Sequence, residues 1–180
     1  MIFLVHVHAL SKKVDYLEKQ LCETTKLANH NEQYSRRWLV RVYGIKEDEK
    51  EDCTSKFVQL VNDKLKIVPP LKAEDIEASH RIGAVRLNDS NTPNKARPII
   101  VRFTNRSRRY KVIEKRHLLK KSGFTIADDI TKKNIELMNR LKNNPSFEEV
   151  WFSNGTVKAK HSLTGKKRIV DLYDDVSKLF

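Results

Sequence analysis

Between Arg97 and Lys121 the chain carries ten cations, Arg97, Arg102, Arg106, Arg108, Arg109, Lys111, Lys115, Arg116, Lys120 and Lys121, against one acid, Glu114. That net +9 is most of the +13 carried by all 180 residues. A solvated helix face usually alternates in sign, and this stretch does not. Arginine dominates its first half, where the guanidinium fork suits bidentate contact with phosphate and stacking on bases. The chemistry implied is capture of a polyanion, with nucleic acid ahead of a membrane surface.

Residue types that perform catalysis are present but not arranged for it. Asp128 and Asp129 are adjacent, which at a strand exit reads as a helix cap. The six histidines are scattered, and His6-x-His8 lies inside a heptad pattern, away from metal-ligand spacing. Gly165-Lys166-Lys167 lacks the upstream glycine of a phosphate-binding loop, and neither GxGxxG nor G-x-S-x-G occurs. The expectation is a non-enzymatic chain with no metal and no cofactor. Cys22 and Cys53 stand alone, outside any disulfide framework, and read as reduced thiols of an intracellular protein. No apolar run approaches the ~18 residues of a membrane span. The opening MIFLVHVHAL lacks a basic flank and a cleavage site, so it reads as the start of a helix.

The elements that must position these cations follow from periodicity. Phe3, Val7, Leu10, Val14, Leu17, Leu21, Thr24 and Ala28 are spaced alternately by four and three, the seam of a coiled coil. The same spacing also fits one amphipathic helix packed on the next domain. Val40 and Val42 alternate with Arg41 and Tyr43, as in a half-buried strand. After the acidic run Glu47–Asp52, Thr54 or Ser55 is placed to cap a helix with the stripe Phe57, Leu60, Val61 and Leu65, which Pro69-Pro70 ends. Residues 76–82 make a second strand and 97–103 a third, separated by the polar loop 87–96. A helix over 107–121 offers Tyr110, Val112, Ile113 and Leu119 to the core, and 124–127 form a fourth strand. The order β-α-β-β-α-β in about ninety residues predicts a ferredoxin-like sheet with two helices on one face.

A smaller unit follows. Asp129 or Thr131 caps a helix reaching Asn143, with Ile135, Met138 and Leu141 inward. Strand-like runs 150–152 and 156–160 flank Asn154-Gly155, a strong hairpin signal. Ile169, Leu172, Tyr173, Val176 and Leu179 have helical spacing and predict a final helix, with Asp174 and Asp175 on its solvated face.

Strand parity places Arg41, Tyr43 and Arg102 together on the open face of the main sheet, a cation and aromatic platform suited to nucleotides. Phe103 has the parity of the core, so this third strand lacks the stacking aromatics usual in RNA-recognition sheets. Weak base specificity follows, with phosphate contacts supplying most of the affinity.

The runs YSRRWLVRVYGIKEDE, IEASHRIG, RPIIVRF and TIADDITKKN resemble the nucleic-acid-binding proteins encoded by the first reading frame of LINE retrotransposons, the type-22 transposase domain family. The likeness covers nearly the whole chain. The resemblance implies a coiled coil, an RNA-recognition-like domain and a small C-terminal domain. It also implies an RNA-binding, trimeric protein that coats its element's transcript and acts as a nucleic-acid chaperone. The family's RNA-holding positions carry over to Arg81, Arg97, Arg102, Arg108, Arg109, Lys115 and Arg116, and then to Lys158 and Lys160.

The expected fold is α+β, with a coiled-coil helix over 1–36, a ferredoxin-like, RRM-like domain over 37–128 and a small α/β nucleic-acid-binding domain over 129–180. Expected RNA contacts are Arg41, Tyr43, Arg81, Arg97, Arg102, Arg106, Arg108, Arg109, Lys111, Lys115, Arg116, Lys158 and Lys160. Val7, Leu10, Val14, Leu17 and Leu21 are the expected self-association seam. The expected partner is single-stranded RNA, with DNA second, in a cytoplasmic ribonucleoprotein that also visits the nucleus; no membrane is expected. The competing reading is a coiled-coil protein-interaction module with no nucleic-acid role.

Overall fold

The computed structural model describes residues 2–84 and 96–176, and side chains from residue 6 onward. The polar loop expected at 87–96 therefore falls almost wholly outside the described residues, as do Leu179 and the side chain of Phe3. The described chain is α+β, a long N-terminal helix followed by antiparallel sheets. It divides into two compact units, one of Arg36–Asp129 and one of Met1–Ser35 with Ile130–Phe180.

In the first unit the order is β1 (Leu39–Tyr43), α2 (Cys53–Leu65), β2 (Ile76–Arg81), β3 (Ile99–Phe103), α3 (Arg106–Lys115) and β4 (Thr125–Asp128), with α1 (Ile2–Ser35) preceding it in the chain. The strands form one antiparallel sheet in the order β2-β3-β1-β4. Period-two alternation sends Val40, Val42, Ile99, Val101, Phe103 and Ile126 to one face, all buried, where they meet Phe57, Val61, Leu65 and Val112 from the helices. The Phe57 and Phe103 rings pack edge to face, 5.8 Å between centroids. Asp52, rather than Thr54 or Ser55, caps α2: its carboxylate accepts from the N–H groups of both residues, at 2.9 and 3.2 Å. A carboxylate two residues before Thr54 reaches the first free amides and also complements the helix dipole. α3 is shorter than its pattern, tightening into a 3₁₀ turn over Arg116–Leu119, and Tyr110 points outward, 56% exposed.

In the second unit α4 (Lys132–Lys142) packs Leu137 and Leu141 against a three-stranded sheet of β5 (Phe147–Ser153), β6 (Thr156–His161) and β7 (Lys167–Val170). Ile135 is exposed, and Leu137 takes the inward place expected for it. Thr131 is the cap, accepting from the Asn134 N–H. Asn154-Gly155 joins β5 to β6 as expected, both residues at positive φ.

The expected final helix is a strand where it begins. Residues 167–170 pair antiparallel with β6, and Ile169 points out while Val170 is buried. The unpaired edge of β6 offers a ladder of hydrogen bonds that the helical spacing of Ile169, Leu172, Tyr173, Val176 and Leu179 does not outweigh. Beyond it the chain turns, and Asp174, expected to be merely solvated, accepts from the Asp171 N–H and from Lys26 Nζ at 3.1 Å.

The end of α1 is held in this unit by a closed polar network. Asn29 Nδ2 donates to Asn134 Oδ1, Thr131 Oγ1 donates to Asn29 Oδ1, and Gln33 Oε1 accepts from the Thr131 N–H and Asn134 Nδ2, at 2.7–3.0 Å. All four side chains are buried. Because every member finds a partner, the network fixes register without leaving a buried group unsatisfied.

Candidate nucleic-acid interface

Register builds the face opposite the core. Arg41 pairs with Ile100 and Ala127, Leu39 with Arg102, and Tyr43 with Thr125, so Arg41, Tyr43 and Arg102 do share the outer face of the β2-β3-β1-β4 sheet. Among the described residues, the helices of that unit pack on the opposite, core face. Arg102 is half exposed and meets an equally exposed Glu77 at 2.7 Å. Arg41 is engaged more deeply, with its Nε 2.5 Å from the Asp129 carboxylate.

Asp128 and Asp129 organise four arginines. Asp129, buried, accepts from Arg41 and from Arg36 Nη1 at 3.0 Å. Asp128 points to the opposite side of β4, where Arg109 Nη2 lies at 2.5 Å and Arg116 Nη1 at 2.8 Å. Adjacent strand residues face opposite ways, so one pair of carboxylates anchors guanidinium groups on both faces of the sheet.

The basic run of α3 is likewise engaged from within. Arg108, Lys111 and Lys115, spaced three and four apart, lie on one helical face. Arg108 donates to the carbonyls of Pro69 and Pro70 and to Asp75, Lys111 to Val68 O at 3.0 Å, and Lys115 to Lys66 O at 3.2 Å. These carbonyls follow the C-terminus of α2, where Lys66 turns left-handed at φ 46° and the chain leaves the helix. Cations at a helix C-terminus satisfy those acceptors and complement the dipole. Arg109 is 14% exposed and also donates to Leu39 O.

Arg81 is saturated. Its five N–H donors reach Glu51 twice, at 2.6 and 2.8 Å, and the carbonyls of Ile45, Lys46 and Arg97. The side chain is 5% exposed. The guanidinium holds the Glu51 carboxyl at about 2, against 4.5 unperturbed, with Lys56 Nζ assisting at 2.7 Å. Arg97 differs. It sits at the sheet end, partly exposed, with Glu47 bridging its Nε and Nη2 and the Gly83 carbonyl on Nη1. The hydrogen bond from Arg97 depresses the Glu47 pKa.

A second cationic surface lies on the β5-β6-β7 sheet. Trp151, Lys158 and Ile169 form one row across its outer face, and Glu149, Lys160 and Lys167 the next. Lys167 Nζ lies 6.0 Å from the Trp151 ring, within cation–π reach, and Lys160 is 2.7 Å from Glu148. Sequence reasoning named Lys158 and Lys160 but missed Trp151 and Lys167. The Asn-Gly hairpin carried the signal for Trp151, since its register sets Trp151 opposite Lys158. Lys167 was hidden by the helix expected there.

The expected contact residues thus fall into three groups. Arg81, Arg108, Arg109, Lys111, Lys115 and Arg116 hold the fold together. Arg41, Arg97, Arg102 and Lys160 are paired at partly open positions. Arg106 and Lys158 carry no ion pair among the described residues, and neither do Lys120 and Lys121, which were not among the expected contacts; Tyr43, the one expected aromatic, is half-buried on the outer sheet face. Along α1, Val7, Leu10, Val14, Leu17 and Leu21 are all 48–67% exposed in the single chain. Among the described residues no group of three His, Cys, Asp or Glu could hold a metal ion, and no helix is long and apolar enough to cross a membrane. Compared with protein-family models and with curated protein sequences, the chain matches none.

Proposed function

We propose that the protein binds single-stranded nucleic acid, RNA first, without catalysing a reaction on it, and self-associates through α1. The observation that carries this is the outer face of the β2-β3-β1-β4 sheet, which presents Arg41, Tyr43 and Arg102 on the side opposite the core. The element order β1-α2-β2-β3-α3-β4 and this strand order agree with a ferredoxin-like, RRM-like domain, whose open face takes unpaired bases. Bases stack on Tyr43, while phosphates meet the cations that the fold leaves available. The exposed heptad seam agrees with a coiled coil, and a trimer would multiply weak modules through effective concentration. On this reading the protein acts as LINE first-frame proteins do, coating a transcript in a cytoplasmic ribonucleoprotein and serving as a chaperone.

The experiment is filter binding of a 20-nucleotide single-stranded RNA over a salt series. About six engaged cations give a slope of log affinity against log salt near −4, at about −0.7 per phosphate contact. A flat series overturns the proposal. Changing Lys120 and Lys121 together to Ala should weaken binding to all sequences alike and leave stability unchanged. Arg109→Ala should instead destabilise the sheet unit by about 2 kcal/mol or more, since it strips a buried partner from Asp128.

A further inference from the structure

Beside Arg97 the sheet unit has an open cleft of about 870 Å³, lined by Tyr43, Gly44, Lys46, Arg97, Gly123 and Thr125 among others. Its floor is bare backbone. Gly44 has φ +93°, and a Cβ there would stand 2.2 Å from the Gly123 carbonyl oxygen, so these two backbone segments meet with no room for a side chain at Gly44. Around this floor stand one aromatic ring and two cations. Lys46 is exposed and carries no ion pair among the described residues. Arg97 is the only one of the two that is neutralised, and its neutraliser is a single carboxylate, Glu47, which is itself a third exposed.

The contrast with Arg81 is informative. Both arginines meet the acidic run 47–52, but Arg81 has all five donors satisfied and is shut away. Among the described residues Arg97 bonds one carboxylate and one carbonyl, leaving N–H directions on both terminal nitrogens. A carboxylate spanning Nε and Nη2 occupies the edge of a guanidinium that a phosphate would take bidentately. Surface ion pairs of this kind are weak and exchange readily.

Resting on the nucleic-acid reading above, we propose that this cleft is a nucleotide site, in which Arg97 and Lys46 take a phosphate and Tyr43 the adjoining base. Glu47 is its internal competitor. In the free protein Glu47 holds Arg97; on binding, the phosphate replaces it. The cleft thereby selects ligands with a dense negative charge over neutral nucleosides, and the competitor keeps single contacts weak, so that a long strand engaging several chains is favoured over a stray nucleotide.

The test is ¹⁵N TROSY titration of the full chain with the 5′-phosphorylated dinucleotide pUpU, alongside the 20-nucleotide RNA. The proposal expects saturable shifts of the Gly44 and Gly123 amides. It expects Glu47→Gln to lower the half-saturating concentration about two- to fivefold, the range of one exposed ion pair. Arg97→Gln should abolish saturation at the same amides. Glu49→Gln, an equal change of net charge in the same loop, should change the midpoint less than 1.5-fold. A gain for Glu49→Gln equal to that of Glu47→Gln overturns the proposal in favour of bulk charge, and unchanged affinity in Glu47→Gln overturns the competition. Shifts confined to other residues overturn the cleft and leave the nucleic-acid reading standing. Silence toward both ligands removes both.

Discussion

Glu51 ties Arg81 and Lys56 together within the sheet unit, and its removal has a calculable effect. Its oxygens lie 2.6 and 2.8 Å from Arg81 and 2.7 Å from Lys56, and its side chain is 9% exposed. Hydrogen bonds from Arg81 hold its pKa at about 2 against 4.5. At about 1.36 kcal/mol per pH unit, that depression corresponds to about 3 kcal/mol of folding free energy. The folded pKa lies below the unfolded one, so the unfolded chain takes up the proton first. The contribution is therefore complete above about pH 5 and declines as the pH falls toward 2, to about half at pH 3. Glu51→Gln keeps one acceptor oxygen but no charge, and should cost about 2–3 kcal/mol at pH 7. Urea unfolding followed by Trp38 fluorescence, in a Trp151→Phe background that leaves Trp38 as the sole indole of the chain, measures this for the sheet unit. The difference between wild type and variant should shrink by about half between pH 7 and pH 3. A difference below about 0.5 kcal/mol at pH 7, or one that stays constant down to pH 3, refutes the reasoning.

Two further outcomes are expected. Leu10→Gln with Leu17→Gln should reduce the sedimenting species to the 21.1 kDa single chain, because both side chains are more than half exposed on α1 and polar groups at seam positions oppose association. A wild type that sediments as a single chain would remove the self-association proposal. Asn134→Ala should destabilise the second unit by about 1–3 kcal/mol, read by Trp151 fluorescence in urea, since it leaves the buried Asn29 amide without its acceptor. A change within about 0.3 kcal/mol would mean that the network is not a structural clasp.

Much of the fold was legible locally. Val40 and Val42 alternating with Arg41 and Tyr43, and the stripe Phe57, Leu60, Val61, Leu65, identify a strand and a helix without reference to the rest of the chain, and both bury as their periods require. Asn154-Gly155 likewise specifies its hairpin, because few residues accept two consecutive left-handed conformations. Residues 167–170 were misread for a complementary reason. Only Ile169 of the five apolar residues in the helical stripe falls within 167–170, too few to fix a period there, and the choice fell to the free edge of β6.

The candidate interface was legible only in part. Composition by itself determined that positive charge concentrates between Arg97 and Lys121, and strand parity determined that Arg41, Tyr43 and Arg102 share a face. Which cations remain available was decided by tertiary structure. Arginine and lysine reach several ångströms from the backbone, and their partners here lie far off in sequence: Asp128 for Arg109, Asp129 for Arg41, Glu51 for Arg81, and the carbonyls of 66–70 for the face of α3. A charge count sees each cation but not the acceptor that folding brings to it. The carbonyls after α2 and two adjacent carboxylates at the end of β4 turn half of an apparent phosphate-binding surface into the fastening of the fold.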